Sequence, residues 1–451
     1  MQDEAIDRRQ FLKVSAGVPI VAGMAAHAGT NTSVSAISQE DDPERKKRIE
    51  SNQQIQKARQ VALNILKPSS KELEHGLELH KNSLVIELYG FSPRAAVNGD
   101  RMREATEAGA SEMELYDITR DMASTRSVTD AAERQEYMDA WEAAGVTCIF
   151  QNAGEKGMSI SRMLKLLAQF TYVTDMMRNF VYKAAIPDDI VAAKEQGKHC
   201  LYFSANGVPL PQDWVSVEEE LRYIRVFFQL GIRMMHLTYN RRNLIGDGCG
   251  EPSDGGLSDF GRAVVAEMNR VGVIVDVAHC GWRTSREAAE LSDRPIVASH
   301  TCCGALYQHI RSKPDNVIRT IVDKGGVIGI CCIPSFLGGK GDIAKMMEHI
   351  DYVVKTFGAD HVAIATDVAY MSRRTVQENK KIPKRRKTRK RWESLWPAGS
   401  LVTEPRESQL SMAWTNWPLF TVGLVQLGYY DSDIQKILGG NALRVARTVL
   451  A

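Results

Sequence analysis

Cysteine, charge of one sign and long apolar runs are all scarce in this sequence. The chain of 451 residues has 8 cysteines, too few for a small fold held together by disulfides. Its 57 lysines and arginines nearly balance its 55 aspartates and glutamates, and the net charge of +2 argues against a general nucleic-acid-binding protein. Glycine and proline, at 34 and 15 residues, are too few for a collagen-like or wholly disordered chain. No apolar run approaches the roughly 20 residues that cross a bilayer, so we expect a soluble or peripheral globular protein.

The first residues contain the three parts of an export signal, in order. Residues 7–11 (Asp-Arg-Arg-Gln-Phe) carry two adjacent arginines and an aromatic residue, and a weakly apolar run follows over 14–26. Residues 26–28 (Ala-His-Ala) then place small side chains where an export peptidase cleaves. We therefore expect residues 1–28 to be a twin-arginine signal that sends the protein to the periplasm or another extracytoplasmic space. The alternative is an exposed helical tail that happens to contain Arg-Arg.

Residues 29–80 are predicted to be a linker followed by lead-in helices. The stretch 30–45 is rich in Ser, Thr, Asp and Glu and has no apolar period, which is typical of linkers. Over 45–80, apolar residues recur at helical spacing, which predicts helices with polar outer faces.

Eight short apolar runs alternate with longer amphipathic stretches over residues 81–451. Most of these runs are apolar throughout, as in parallel strands that are buried on both faces. No G-x-G-x-x-G follows any of the runs, so a dinucleotide-binding fold has no support. The alternation predicts an α/β fold, a (β/α)8 TIM barrel with N-terminal lead-in helices. The predicted strands are 84–89, 146–151, 200–204, 234–239, 273–278, 296–299, 327–333 and 362–366.

The active sites of such barrels lie at the C-terminal ends of the strands. His279 and His300 follow the fifth and sixth predicted strands, and Asp367 follows the eighth. Two imidazoles and a carboxylate that meet above the barrel axis suit Zn²⁺ or a similar divalent ion. Each residue has an ordinary alternative, since a histidine can bond a loop carbonyl and an aspartate can cap the next segment. Their joint placement predicts a metal site.

Several motifs occur in a fixed order along the chain: LTYNRRNLIGDG, VDVAHCGWRT, PIVASHTCCGALYQHIRS, GGVIGICCIPSFLGG, HVAIATD and ILGGNALRV. In these motifs the chain resembles the membrane (renal) dipeptidase family of zinc metallopeptidases, over roughly residues 75–450. The resemblance implies a barrel enzyme of the amidohydrolase superfamily. Members of the family hydrolyse dipeptides, and in some cases β-lactams, with a water held between two metal ions.

The resemblance also assigns a role to each candidate residue. His279 and His300 match the pair that holds the second metal ion, and Asp367 matches the aspartate that handles the proton of the water. Arg311 matches the arginine that binds the substrate carboxylate, although from the sequence alone it is equally a surface arginine. Tyr239 stands where the family often has a histidine that stabilises the oxyanion, and a tyrosine hydroxyl can still donate there. Asn240, beside it, is a second substrate-binding candidate.

Several other ligands of the family are missing from this chain. The first strand should end in a His-x-Asp pair for the first metal ion, but Tyr89 and Phe91 occupy those positions. The third strand should end in a bridging glutamate, but residues 203–207 contain no carboxylate. Two divalent ions repel strongly without a bridging carboxylate, so we expect one ion rather than two. The sequence leaves open whether Glu87 replaces a ligand or an aromatic side chain plugs this half of the site.

Two classes of function therefore remain open from the sequence. The first is a divalent-metal dipeptidase, or a one-metal hydrolase of another amide or a lactone, acting on a small peptide-like substrate. The second is a non-catalytic homologue that binds a small or anionic ligand. A basic insertion at 373–395 includes nine cationic residues within 380–391, which either contact an anionic surface or form a solvated loop. The resemblance is also compatible with a dimer.

Overall fold

The computed structural model describes most of the chain, namely residues 43–154, 157–384, 395–397, 400 and 404–450. The predicted export signal at 1–28 and the part of the basic run from 385 to 391 lie outside the described residues. None of the helices in the described ranges combines the length and the apolar character that a membrane span requires.

The strands of the described chain are β1 Ile86–Gly90, β2 Cys148–Asn152, β3 Val181–Lys183, β4 His199–Ala205, β5 Ile232–His236, β6 Ile274–Asp276, β7 Val297–Cys303, β8 Ser312–Lys313, β9 Val327–Ile330 and β10 Val362–Ile364. Eight of them pair in parallel in the order β1-β2-β4-β5-β6-β7-β9-β10, while β3 pairs with β4 and β8 pairs with β7. The ring closes between its ends, where the amide of Asp367 lies 3.4 Å from the carbonyl oxygen of Tyr89. The predicted TIM barrel is therefore confirmed.

Helices precede the barrel and alternate with its strands, and short polar side chains cap the N-termini of the second and third helices, 53–66 and 70–82. Asn52 Oδ1 accepts hydrogen bonds from the first turn of α2, and Ser69 forms a capping box with Glu72 at the start of α3, which explains where these lead-in helices begin. The α-helices are α1 Pro43–Ser51, α2 Gln53–Leu66, α3 Ser70–Asn82, α4 Gly99–Glu107, α5 Glu112–Thr129, α6 Ala131–Ala144, α7 Ile160–Met176, α8 Pro187–Glu195, α9 Val217–Gln229, α10 Asp259–Val271, α11 Trp282–Leu291, α12 Asp315–Val322, α13 Pro334–Leu337, α14 Ile343–Phe357, α15 Thr375–Lys380, α16 Arg406–Ser411, α17 Trp417–Gln426, α18 Asp431–Gln435 and α19 Asn441–Leu450.

The last helix, α19, closes the N-terminal end of the barrel. Asn441 donates hydrogen bonds to the carbonyl oxygens of Ala359 and Val362, just before and at the start of β10, and Arg444 donates to Gly325 O ahead of β9. The apolar face of the helix packs with the side chains that fill the barrel interior. Among the described residues, the opposite, C-terminal mouth of the barrel is left uncovered by this helix.

Four strands differ from the prediction in ways that affect the site. The predicted fourth strand, 234–239, begins and ends too late, because β5 runs from Ile232 to His236. The predicted sixth strand ends at 299, but β7 continues to Cys303, so His300 lies inside a strand rather than after it. The predicted fifth and eighth strands correspond to β6 and β10, which end three residues before His279 and Asp367 and so place these two residues in the loops at the mouth.

A candidate metal centre at the mouth of the barrel

Two of the predicted ligands, His279 and His300, face each other at the barrel mouth. Their Nε2 atoms are 3.0 Å apart, and both side chains are buried. Two nitrogen lone pairs at this distance repel each other unless a proton or a cation lies between them. The pair is therefore suited to sharing one positive centre.

A third histidine, His236, completes the cluster and was missed by the sequence prediction. One ring nitrogen from each of the three histidines lies within 4.8 Å of the others. Because the predicted strand extended to Tyr239, the end of the strand was placed three residues too late, and His236 was treated as part of an apolar run. One signal in the sequence does identify His236: it lies two residues after Met234, an interior residue of the barrel, and residues two apart in a strand face the same side.

Each imidazole has its Nδ1 atom occupied by a different neighbour. A carbonyl or amide oxygen can only accept, so Nδ1 carries the proton in His236 and His279, and their Nε2 atoms keep a lone pair. Hydrogen bonds of this kind fix the orientation and the tautomer of metal-binding histidines. The three distances from Nδ1 are 3.0 Å for His236 to Ala205 O, 2.6 Å for His279 to Asn240 Oδ1 and 2.8 Å for His300 to Ser299 Oγ.

The donor set suits a divalent transition-metal ion. Three neutral imidazoles with a fourth position left for water are a common arrangement of catalytic zinc. His236 Nε2 and Asp276 Oδ2 are both buried and lie 2.9 Å apart, and neither atom makes a further hydrogen bond among the described residues. Two buried acceptors at this distance repel each other, and a proton or a cation beside them would relieve the repulsion.

The surroundings of the cluster favour an ionised Asp276 and a neutral His300. Burial by itself would raise the pKa of Asp276, but the interaction with His236 and hydrogen bonds from Ser299 outweigh it, so the pKa lies below its ordinary value. Burial, helped by the positive charge of Arg311, lowers the pKa of His300 well below its ordinary value. His300 is therefore neutral near pH 7, which leaves its imidazole able to bind a metal ion.

An aromatic side chain fills the half of the site where the family has its first metal ion. The ring of Tyr89 stacks on the imidazole of His300, with centroids 4.0 Å apart and an interplanar angle of 14°. Its hydroxyl donates a hydrogen bond to Asn206 Oδ1 at 2.5 Å. Burial raises the pKa of Tyr89 well above its ordinary value, so the residue stays a neutral phenol and a poor metal ligand. Tyr89, at a position where the resemblance expects a metal ligand, thus bonds to the end of the strand that lacks the bridging carboxylate.

Glu87, the other possible substitute for a lost ligand, faces away from the site. It lies between Ile86 and Leu88, whose side chains belong to the barrel interior, so its own side chain faces the surrounding helices. One carboxyl oxygen contacts the amide and hydroxyl of Thr366, and the other accepts a hydrogen bond from Trp414 Nε1 at 2.7 Å. Glu87 therefore supports the barrel wall and does not reach the histidine cluster.

Asn240 and Asp367 share an uncommon backbone conformation. Their φ angles are 58° and 57°, in the left-handed region, which costs a non-glycine residue about 1 kcal/mol or more and is tolerated best by Asn and Asp. In this conformation the amide oxygen of Asn240 reaches His279. Asp367 is partly buried at the mouth, where its negative charge adds to the effect of burial in raising the pKa of both Tyr89 and Tyr239.

Tyr239 covers the outer side of the cluster. Its ring stacks on that of His279, with centroids 4.1 Å apart and an interplanar angle of 25°. Burial raises its pKa, Asp367 adds to the rise and Arg311 opposes it. The phenol therefore keeps its proton at neutral pH.

Arg311 is buried at the mouth, so the alternative of a surface arginine is wrong. Its Nε donates to Ala278 O at 3.3 Å and its Nη2 donates to His300 O at 2.7 Å, with the guanidinium above the ring of Phe336. Within the described chain its Nη1 group makes no hydrogen bond. Two main-chain carbonyls thus hold the guanidinium in place and leave donors for a ligand.

A buried lysine supports the segment that follows His279. Lys313, in β8, donates from Nζ to Cys280 O at 2.7 Å and to Ser285 Oγ at 2.9 Å. Burial lowers the pKa of this ammonium group. The lysine ties the loop that carries His279 to the strand beside β7.

Three curated relatives match part of the chain. Dipeptidase tcpJ of Claviceps purpurea is 27% identical over 267 residues, which are 58% of this chain and 54% of that protein. Dipeptidase verJ of Clonostachys rogersoniana is 28% identical over 229 residues, 50% of either protein. Dipeptidase aclJ of Aspergillus oryzae is 34% identical over 155 residues, 33% of this chain and 37% of that protein. The chain spans about half the length, or less, of the curated relatives it matches.

Two solved structures illustrate the likeness in fold. An amidohydrolase from Pseudomonas aeruginosa is 27% identical with a TM-score of 0.59, and the match covers 83% of this chain and 99% of that one. A metallopeptidase from Rhodobacter sphaeroides, bound to a phosphinate mimic of the dipeptide L-Ala-D-Ala, is 17% identical with a TM-score of 0.54 and shares the fold over 72% of this chain and 96% of its own.

The family itself follows from a match over most of the barrel. The matching segment, residues 100–383, contains all three histidines of the cluster together with Arg311 and Asp367. It covers more than half of the chain, and the description of the matching family model is membrane dipeptidase, peptidase family M19. The chain therefore belongs to the membrane dipeptidase family, M19.

Proposed function

We propose that this protein is a metal-dependent hydrolase that cleaves the peptide bond of dipeptides. The observation that carries the proposal is the convergence of three imidazole nitrogens at the C-terminal mouth of a barrel of the M19 family. We propose one ion, zinc or a similar divalent metal, rather than two. This number rests on Tyr89 and Asn206, which bond to each other where the first-metal ligands would be.

His236, His279 and His300 would hold the ion, which when bound supplies Lewis-acid chemistry toward the peptide carbonyl. The protein groups around it then handle protons and orientation. Asp367 takes a proton from the attacking water and returns it to the amine nitrogen as the peptide bond breaks, so that water and a dipeptide give two amino acids. The negative charge that develops on the carbonyl oxygen accepts a hydrogen bond from the protonated phenol of Tyr239.

The substrate is oriented by groups that are held in place but not fully bonded. Arg311 is fixed by two main-chain carbonyls and offers its Nη1 group to the substrate carboxylate. The side-chain nitrogen of Asn240 is buried without a hydrogen-bond partner among the described residues, while its oxygen is occupied by His279. We assign this amide group to a carbonyl of the bound dipeptide, because a buried donor of this kind is costly to leave unpaired.

The second candidate is a homologue that binds a small or anionic ligand without turning it over. The loss of the His-x-Asp pair and of the bridging carboxylate favours it, since these are ligands on which two-metal members of the family depend. Both candidates use the same mouth, and they differ in whether the bound molecule is cleaved.

Metal analysis combined with dipeptide hydrolysis separates the two candidates. We expect about one zinc or similar ion per chain, and turnover of simple dipeptides that a chelator abolishes and added metal restores. His236→Gln should lower metal content and reduce turnover by at least about 100-fold, because it removes a ligand and not merely an orienting group. His75→Gln, at an exposed histidine on α3, is the matched control and should change neither quantity. Metal-loaded protein that binds dipeptides but does not cleave any of them would exclude the hydrolase and favour the binding protein.

A further inference from the structure

A cavity lies beside the site, at the C-terminal ends of β1 and β2. The space between its lining side chains, part of it open to solvent, is about 330 Å³, and the lining includes aromatic and polar side chains together with two arginines, Arg94 and Arg120. Gln151, in its wall, accepts from the amide of Ser92 and donates to the carbonyl oxygen of Asn152. The arginines are the charged groups of this lining.

Arg94 is held rigidly and forms no salt bridge with another described residue, although the carboxylate of Asp367 is near enough to oppose in part the lowering of its pKa by burial. Its main chain is fixed on both sides, with its amide donating to Tyr370 O at 2.8 Å and its carbonyl accepting from Ser372 at 2.9 Å. Its guanidinium lies over the ring of Phe91, 4.7 Å from the centroid. In the part of the chain that the structure describes, the side chain forms neither a hydrogen bond nor an ion pair. A partly buried arginine without a carboxylate is unusual, because burying an unpaired charge is costly.

Arg120, on α5, adds a second positive charge to the same cavity. It also borders a smaller neighbouring cavity with Arg162 and Lys165, but those two residues lie 3.9 Å and 2.6 Å from the carboxylate of Asp117. Arg120 has no such partner among the described residues. Burial lowers the pKa of Arg94 to about 10, and the charge of Arg120 adds to the decrease, which places the two guanidinium groups within electrostatic reach.

Two aromatic rings lie between the cavity and the candidate metal centre. Phe91, under Arg94, packs edge-on against Tyr89 with centroids 5.8 Å apart, and Tyr89 stacks on His300. Arg311 lies on the other side of the mouth, since its partners are carbonyls near β6 and β7. In the ring of eight strands, β6 and β7 are four places away from β1 and β2, which is half of the ring. A molecule whose carboxylate is bound by Arg311 therefore extends across the histidine cluster toward Arg94 and Arg120.

We propose that Arg94 and Arg120 bind a carboxylate on the side chain of the amino-terminal residue of a dipeptide substrate. The inference rests on the proposed function and narrows its substrate class to dipeptides that begin with an acidic residue. Two planar guanidinium groups suit a carboxylate, which accepts paired hydrogen bonds from each. Arg311 would bind the C-terminal carboxylate, and the two anionic ends of the substrate would fix the peptide bond over the cluster between them.

The test compares pairs of substrates that differ only in charge. Metal-loaded protein is expected to hydrolyse Glu-Ala with a kcat/KM about 10- to 100-fold higher than Gln-Ala, the range given by losing hydrogen bonds to a charged group. Ala-Glu and Ala-Gln, in which the acid is on the other residue, should differ much less. In Arg120→Gln the ratio of kcat/KM for Glu-Ala to kcat/KM for Gln-Ala should fall toward one, and Arg120→Lys should retain part of this preference. Arg225→Gln, at an exposed arginine of α9, is the control and should keep the full preference.

Two further outcomes distinguish this inference from the proposed function. If Glu-Ala and Gln-Ala are cleaved equally well by the unaltered protein, the inference is wrong while the hydrolase stands. If no dipeptide is cleaved, calorimetric titration with glutarate still tests the cavity. Glutarate binding that Arg120→Gln weakens about tenfold or more supports a carboxylate site, whereas no binding, or binding of inorganic phosphate in preference to glutarate, overturns it.

Discussion

Glu87 is buried between the barrel and the surrounding helices, and its protonation state should control how stability depends on pH. Burial raises its pKa from the ordinary 4.5 to about 8, although hydrogen bonds from Thr366 and Trp414 oppose the rise. In its protonated form the carboxyl group can donate to the Thr366 hydroxyl, which itself faces Val368 O, and still accept from Trp414 Nε1. The folded protein therefore holds a proton that the unfolded chain releases above pH 4.5.

The size of this pH dependence follows from the thermodynamic linkage between proton binding and folding. Between pH 4.5 and about 8, the folded state binds one more proton at this site than the unfolded state, so stability falls as the pH rises. Each pH unit within that window lowers the free energy of unfolding by about 1.4 kcal/mol. The stability that Glu87 contributes is fully present below pH 4.5, and about 5 kcal/mol of it is lost by about pH 8, where the folded protein also ionises.

Glu87→Gln should remove this dependence and keep the fold. The amide nitrogen of glutamine donates where the carboxyl proton did, and its oxygen accepts from Trp414, but the side chain does not titrate. Urea unfolding followed by tryptophan fluorescence at several pH values from 5 to 8.5 gives the two stability curves. We expect their difference to change by several kcal/mol in favour of the variant as the pH rises, while Glu74→Gln, at an exposed glutamate of α3, follows the unaltered protein. Parallel curves for the unaltered protein and Glu87→Gln would refute the reasoning.

Three further predictions concern the site and the compartment. Lys313→Met should lower both stability and metal affinity, because Cys280 O and Ser285 Oγ lose their donor at a cost of about 1–3 kcal/mol each. Thermal unfolding and a metal titration measure the two quantities. Unchanged metal affinity would contradict the role of Lys313 in supporting the loop of His279. Tyr89→Phe should lower the free energy of unfolding by about 1–3 kcal/mol, since Asn206 Oδ1 loses its donor, but should leave the metal content unchanged. A changed metal-to-protein ratio would mean that the phenol acts as a ligand. Replacing Arg8 and Arg9 by lysine should retain the protein in the cytoplasm, as fractionation of expressing cells would show, and unaffected export would rule out the twin-arginine signal.

The path of the barrel was predictable because strands buried on both faces are apolar over their whole length. β3 and β8 were not predicted, since they have three and two residues and include Lys183 and Lys313. These two strands pair with one neighbour each, outside the main ring, so no apolar run marks them. The hydrophobic pattern therefore predicts strands that are long and buried on both faces, and it misses short strands at the side of the barrel.

Part of the site was predictable and part was not, for a related reason. His279 and His300 stand out because each directly follows a predicted strand, where a barrel places its chemistry. His236 and Asp276 end β5 and β6, but the predicted strands continue past both, so each is interpreted as a polar residue within a strand, which is more often a satisfied core group. Their role depends on which strands are neighbours, because β5 and β6 bring them to 2.9 Å from each other. That information is carried by the tertiary fold and not by the local pattern.

The three groups that orient the histidines differ in whether a substitution can remove them. Asn240 and Ser299 use their side chains, whereas His236 is oriented by the main-chain carbonyl of Ala205. Every amino acid possesses that carbonyl, so exchange among small residues at position 205 leaves it intact, while a single substitution at 240 or 299 removes a hydrogen-bond partner of a histidine. Substitutions that disturb the histidine cluster should accordingly be frequent at 240 and 299 and rare at 205.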